Sequence, residues 1–300
     1  MTDSSYQKFI PNEYREFFTV VDDASSCMDT LLAEFNERDT KLFDLSACLR
    51  IFLFILTRSI KTYSSIIALC RLGYGQDVAT LLRGLLENLI TAKYILCDPK
   101  HANQLARRFV AYKWVIFKRS LPEQEKQIKE ASPEKQREFY ERKKIVTRHV
   151  EEFKKEYNIT SDRGLLTWSG KTVRDMAKHI SPELLAEYDL TFRQCSKFSH
   201  PTILGDQEYI VQDDKNLVFS PLPSPIGVNI NLKQAVNYFL DFADLVDEHF
   251  QLNSKAAIDA LRLRHHELFQ NTEKPVPSSK SGKDGIPIRD CTVIFKVHDN

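Results

Sequence analysis

Glycine and proline are scarce in this chain, at 9 and 12 of 300 residues, and most of the prolines fall after position 200. Few residues therefore break a helix or supply a tight turn, which leaves little room for a turn-rich β architecture. A net charge of +1 provides no global field of the kind that announces a nucleic-acid binder. The six cysteines, Cys27, Cys48, Cys70, Cys97, Cys195 and Cys291, include no Cys-x-x-Cys pair and no His–Cys cluster at zinc spacing. Several lie in apolar helical stretches, so buried free thiols in a reducing compartment are expected. The start, Met1-Thr2-Asp3-Ser4-Ser5, has no apolar core of a secretion signal. The greasiest stretch, 42–70, is interrupted by Asp44, Arg50, Arg58 and Lys61. It never reaches the roughly 20 uncharged residues of a spanning helix. A cytoplasmic protein with no membrane partner is the expectation. There is also no Walker A loop, no GxGxxG, no His-Glu-x-x-His, no Gly-x-Ser-x-Gly and no EF-hand loop, so no cofactor or metal is expected from sequence motifs.

What is present is helical periodicity. A hydrophobic content of 42% with 28% charged residues is ordinary for a globular chain, and 300 residues suffice for one large domain. The fold expected is mainly α: a single helical-bundle domain over 1–270, a small β-hairpin insertion at 208–219, and a flexible C-terminal tail over 271–300. Phe17, Val20, Val21, Ala24, Met28, Leu31, Leu32 and Phe35 mark an amphipathic helix over 12–38. A helix over 42–72 is apolar on much of its circumference, which predicts a central place in the bundle. Gly73-Tyr74-Gly75 ends it, and another helix runs from 76 to 96. A helix bearing Phe109, Tyr112, Trp114 and Phe117 follows Pro99. Residues 122–157 are densely charged and read as a solvated helical hairpin broken near Ser132-Pro133, with its charges paired locally or, in the functional reading, its Lys and Arg forming an RNA-tracking arm. Residues 158–170 read as a loop and 171–180 as a short helix. Ser181 and Pro182 start the next helix, as N-cap and first helical residue. Asn231 is expected to cap a helix to about Phe250, and a last helix covers 254–269. A further short strand is expected near Cys291.

Three short segments carry chemistry. In the helix that begins at Pro182, the run Arg193-Gln194-Cys195-Ser196-Lys197-Phe198-Ser199-His200 places a permanent cation and a titratable imidazole seven residues apart. Almost two helical turns separate them, so both leave the same side. Leu184, Leu185, Tyr188, Phe192, Cys195 and Ser199 form the buried face, with Asp189, Arg193, Ser196 and His200 along its flank. The bland reading is an Asp189–Arg193 pair with His200 near the helix end. The sharper one makes Arg193 a phosphate binder and His200 a general acid and base, with Ser196 and Lys197 orienting the backbone of a substrate. Arg83 and Glu87 in Arg83-Gly84-Leu85-Leu86-Glu87 are i,i+4 neighbours, readable as a structural ion pair or as a substrate contact. Trp168-Ser169-Gly170-Lys171 is either a loop anchor before a helix cap, or a place where Ser169 or the Lys171 and Thr172 amides meet an anion, with Lys171 as a substrate contact.

In chain order, Arg83–Glu87, Trp168–Lys171 and Ser196–His200 resemble the markers of a bacterial family named domain of unknown function 5677, over about 43–252. The third also resembles the Arg-x(4–6)-His signature of HEPN-type helical proteins, with six residues between Arg193 and His200. Where such proteins often have Asn, Asp or His after the arginine, this chain has Gln194. The HEPN resemblance implies a metal-independent endoribonuclease in a bacterial defence or stress system. It further implies a homodimer that brings two Arg–His pairs together, RNA as substrate, a 2′,3′-cyclic phosphate product, and an antitoxin as a conceivable partner. A non-catalytic helical interaction or sensor module is the alternative class.

Overall fold

The computed structural model describes residues 12–38, 41, 44–199, 210–213, 216–219, 227–271 and 293–296. The chain is mainly helical. Its helices are α1 (Arg15–Glu37), α2 (Ala47–Arg71), α3 (Ala79–Leu96), α4 (Ala102–Ala111), α5 (Lys113–Ile128), α6 (Pro133–Glu156), α7 (Val173–Ile180), α8 (Pro182–Ser199), α9 (Val228–Phe250) and α10 (Lys255–Asn271). Three short strands, β1 (Ile210–Asp213), β2 (Asn216–Phe219) and β3 (Val293–Lys296), form an antiparallel sheet in that order, with Ile210 opposite Phe219 and Phe219 opposite Val293. The predicted tail lies almost wholly outside the described residues.

Contacts divide the chain into two compact units: Met1–Thr40, Ile55–Leu89 and Ala186–Asn300, and Lys41–Phe54 with Ile90–Leu185. In the first unit, α1 buries Phe17, Val20, Val21, Ala24, Met28 and Leu31, the three- and four-residue spacing anticipated from the sequence. Tyr63 of α2 stacks on Phe239 of α9 with ring centroids 3.9 Å apart, and its hydroxyl donates to the Val21 carbonyl at 3.2 Å. Phe17 meets Phe269 of α10 at 4.6 Å, and Phe35 meets Phe250 at 4.4 Å. These aromatic contacts join elements far apart in sequence.

The expected central place of α2 is not what forms. Its buried positions Cys48, Phe52, Ile55, Leu56, Ser59, Tyr63, Ile66, Ile67 and Cys70 make one stripe, and 33% of its most apolar window is buried. Thr57, Arg58, Lys61, Ser64 and Ser65 give it a polar outer side. Among the described residues it is the one helix long and apolar enough, by length and composition, to cross a membrane. Most of α9 is buried instead, from Val228 through Phe239 and Phe242 to Phe250, leaving a partly exposed stripe at Ile230, Gln234, Asn237, Asp241, Asp244 and Glu248. It starts before the expected cap. Gly227, in the left-handed conformation, precedes it, and Asn231 instead donates its side-chain amide to the Gly75 carbonyl at 2.6 Å. A buried carbonyl in the 73–75 turn thus takes the polar group that sequence alone assigns to a helix start.

In the second unit, Tyr112 interrupts the helix expected after Pro99, giving α4 and α5. α5 runs on through Pro122, so the first arm of the hairpin begins at Lys113 and not at 122. Two apolar clusters hold the hairpin: Tyr112, Val115, Val150, Phe153 and Leu165, and then Leu121, Phe139 and Val146. Its charges pair locally or across the arms, as in Lys144–Glu141 at 2.7 Å and Lys143–Glu125 at 2.7 Å. Tyr112 and Arg119 fix the following loop. The Tyr112 hydroxyl lies 2.8 Å from the carbonyls of both Leu165 and Leu166, and Arg119 donates to that of Leu165 at 2.5 Å.

Candidate functional site: the α8 helix

Helix α8 begins as its sequence dictates. The Leu184 amide donates to the Ser181 hydroxyl at 3.1 Å, and Pro182 takes the first helical position, where its missing N–H costs nothing. Further along, Tyr188, Thr191 and Cys195 are buried at three- and four-residue spacing. Thr191 was not among the expected face residues, yet it is fully buried. Its hydroxyl lies 2.8 Å from that of Tyr238 on α9, and the Tyr238 hydroxyl in turn donates to a Glu187 carboxylate oxygen at 2.6 Å. One turn on, Gln234 of α9 reaches Gln194 at 3.4 Å. Burial, reinforced by the Glu187 charge, drives the Tyr238 hydroxyl far above its ordinary pKa. It stays protonated and acts as a donor to the carboxylate.

On another side of α8, Arg83 of α3 lays its guanidinium 4.2 Å from the Phe192 ring centroid, while its Nε donates to Glu87 at 2.8 Å. Both partners are about one-third exposed, 33% and 32%. The sequence-derived Arg83–Glu87 pair therefore forms and packs against the helix that carries Arg193. Burial raises the Cys195 thiol to about 11; Arg83 opposes that shift and Glu87 adds to it. Cys195 is thus a neutral packing group. The five described cysteines are all free, with Cys97 exposed.

Arg193 points away from this packing. It is exposed, Ser196 is half-buried, and exposed Leu190 stands three residues before Arg193. His200 lies outside the described residues, as does the side chain of Lys197. Among the described residues there is no group of three or more His, Cys, Asp or Glu that could hold a metal ion.

The Trp168–Lys171 segment belongs to the second unit. Trp168 packs edge-on against Phe109 at 5.2 Å and Tyr94 at 6.0 Å, which is the loop-anchor arrangement. The anion reading of the following amides is not supported. The Lys171 amide donates to Ser169 Oγ at 3.1 Å, and Thr172 and Asp175 form a reciprocal capping box at the start of α7. Asp175 itself supplies the negative charge that a helix start favours, so both donors are engaged from within.

The buried face of α8, the α3 ion pair and the Trp168 segment all fall within one stretch, residues 49–217, that matches a family of unknown function. This chain belongs to the DUF5677 family. The match covers more than half of the chain, and ends earlier than the 252 expected from the sequence markers. The DUF5677 segment therefore contains Arg83, Glu87, Glu187, Thr191 and Arg193, while Gln234 and Tyr238 on α9 lie beyond it. No curated protein and no solved structure matches the chain. Sequence reading missed Glu187, Thr191, Gln234 and Tyr238. Thr191 had a local signal, being three residues after Tyr188 and four before Cys195. Tyr238, 47 positions from Thr191, had none.

Proposed function

We propose that this chain is a metal-independent endoribonuclease of HEPN type, working in the cytoplasm of a bacterium in defence or stress, with Arg193 and His200 as its catalytic pair. The observation that carries the reading is the setting of Arg193. Its helix is held on the buried side by Thr191, Tyr238 and Glu187, and the guanidinium is left exposed. A cation on a rigid helix is pre-organised for a phosphate, since little reorganisation is needed when charge develops. His200 accepts the proton of the RNA 2′-hydroxyl as its oxygen attacks the adjacent phosphorus. The bond from phosphorus to the 5′-oxygen breaks, and that oxygen takes a proton from solvent as it leaves. The products are a 2′,3′-cyclic phosphate and a 5′-hydroxyl. Arg193 stabilises the added charge on the phosphoryl oxygens. Arg83 and Glu87 support the helix through Phe192. In this reading two copies pair about a two-fold axis that brings two α8 flanks together.

Leu190, 51% exposed on the Arg193 side of α8, fits that dimer contact. It equally supports a second reading, a non-catalytic module that presents Leu190 and Arg193 to a protein partner such as an antitoxin. The test is incubation of mixed RNA with wild type and His200→Ala, with and without EDTA, scored for 2′,3′-cyclic ends. The nuclease reading expects EDTA-resistant cleavage by wild type that falls by about two or more orders of magnitude in the variant. Equal cleavage by both removes His200 from the mechanism. No cleavage by wild type of intact fold leaves the interaction module.

A further inference from the structure

A groove of about 470 Å³ opens in the second unit, lined by Arg50 and Ile51 of α2, Arg107 and Val110 of α4, and Lys113 and Trp114 of α5, with small alanines completing the wall. Its volume falls in the range of about 300–1,000 Å³ typical of small-ligand sites. Three of its lining residues are cations and none is a carboxylate. The walls are fixed. Asn103 of α4 accepts the Cys48 amide at 3.1 Å, tying the start of α2 to α4. Trp114 is stacked on His149 at 4.2 Å and packs against both apolar clusters of the hairpin. Lys113 rides 5.1 Å from the indole centroid, so one cation is already held over an aromatic surface. Arg107 and Lys113 are exposed, and Val110 is 42% exposed. Cations at the rim with an apolar and aromatic wall between them match a ligand that joins an anion to a flat apolar body.

We propose that this groove binds a nucleotide unit, with the phosphate at Arg107 and Lys113 and the base against Ile51, Val110 and the edge of Trp114. Free nucleotide and single-stranded RNA share this chemistry, and positive grooves with aromatic walls are a recurrent way of tracking single strands. The site consists of second-unit residues only and includes neither residue of the proposed catalytic pair.

The test uses the full chain carrying Arg193→Ala and His200→Ala, so that cleavage cannot confuse binding. Probes are adenosine 5′-monophosphate, adenosine, and a fluorescent ten-residue oligoadenylate RNA. Binding is followed by anisotropy for the oligomer and by tryptophan fluorescence for the small probes. The expected result is binding of at least one phosphorylated probe, more weakly by tenfold or more in Arg107→Glu/Lys113→Glu, and no detectable binding of adenosine. Both positions are exposed, and an unchanged helical circular-dichroism spectrum checks the fold. Single-strand binding in particular should lose affinity with salt, and the slope of log K against log salt should flatten by about 0.7 for each phosphate contact removed. Preference for the oligomer over the monophosphate assigns the groove to RNA, and the reverse assigns it to a free nucleotide. Equal binding by the charge-reversed variant, or no binding of either phosphorylated probe, overturns the proposal. Neither result bears on Arg193 and His200, whose reading fails only through the cleavage assay.

Discussion

In the α5–α6 hairpin, charged side chains meet each other at the surface: Lys143 with Glu125 across the arms, and Lys126 with Glu123 and Lys144 with Glu141 along them. Between α8 and α9 the polar groups meet in the interior, where Thr191, Tyr238 and Glu187 form a short chain of hydrogen bonds. Water competes for the first kind of contact and is excluded from the second. On the hairpin Lys118, Lys126, Lys143, Lys144, Arg148 and Lys154 are answered by neighbouring carboxylates, whereas Arg193 is exposed beside a helix face whose own polar needs are met from α9. Charge density along the sequence is therefore a poor guide to where a usable cation stands.

The largest effect should come from the aromatic core behind this seam. Phe239→Ala removes the ring on which Tyr63 stacks and should cost about 3–5 kcal/mol in urea unfolding. A loss below about 1 kcal/mol would mean that α9 is not the core helix described here. Next in size, Tyr238→Phe removes the donor to Glu187 and the nearer partner of the Thr191 hydroxyl, which keeps only its 3.4 Å contact to Glu187, with an expected loss of about 1–3 kcal/mol. An unchanged denaturation midpoint would erase the contrast with the hairpin.

A third prediction concerns pH. His265 of α10 is buried, and its Nε2 has no hydrogen-bond partner. Burial first, and then Lys233, Arg262 and His266, hold its pKa down to about 4 against an ordinary 6.5. The folded state thus binds this proton less readily than the unfolded one. Its contribution is fully present above pH 6.5 and is lost as pH falls from there toward 4. Thermal melts should show the melting temperature dropping across that window in wild type, and less steeply in His265→Phe. Identical slopes would remove His265 as the cause. The smallest effect belongs to the hairpin. Lys143→Ala should cost about 0.2–1 kcal/mol, with the difference shrinking in high salt, because both partners of its pair are partly solvated.

How much of this was legible in the sequence follows from the range of the interactions involved. The α1 stripe, the Ser181–Pro182 start and the Arg83–Glu87 pair depend on residues within one or two helical turns, and each forms as read. The depth of α2 was misread because a run of apolar residues does not say which of its sides will find a partner. That is decided by distant residues such as Phe239. Asn231 looked like a helix cap because its competitor, the Gly75 carbonyl, is 156 residues away. The amides after Trp168 looked open to an anion, although the capping partner Asp175 stood three residues on and the Thr-x-x-Asp spacing was there to be read. In the candidate site, Arg193 was legible as a cation on a flank, while Tyr238 and Gln234, the groups that brace its helix, were not.

The central claim is that an exposed cation on a braced helix differs in function from one answered by a neighbouring carboxylate. The most direct measurement places one from each region in the same assay: the rate of 2′,3′-cyclic phosphate formation from single-stranded RNA in EDTA, for wild type, Arg193→Ala and Lys143→Ala, each with an unchanged helical circular-dichroism spectrum. The account predicts that Arg193→Ala lowers the rate by about 100-fold or more, in line with the loss of a charge-stabilising donor, and that Lys143→Ala stays within about twofold. Cleavage by Arg193→Ala at the wild-type rate would contradict it.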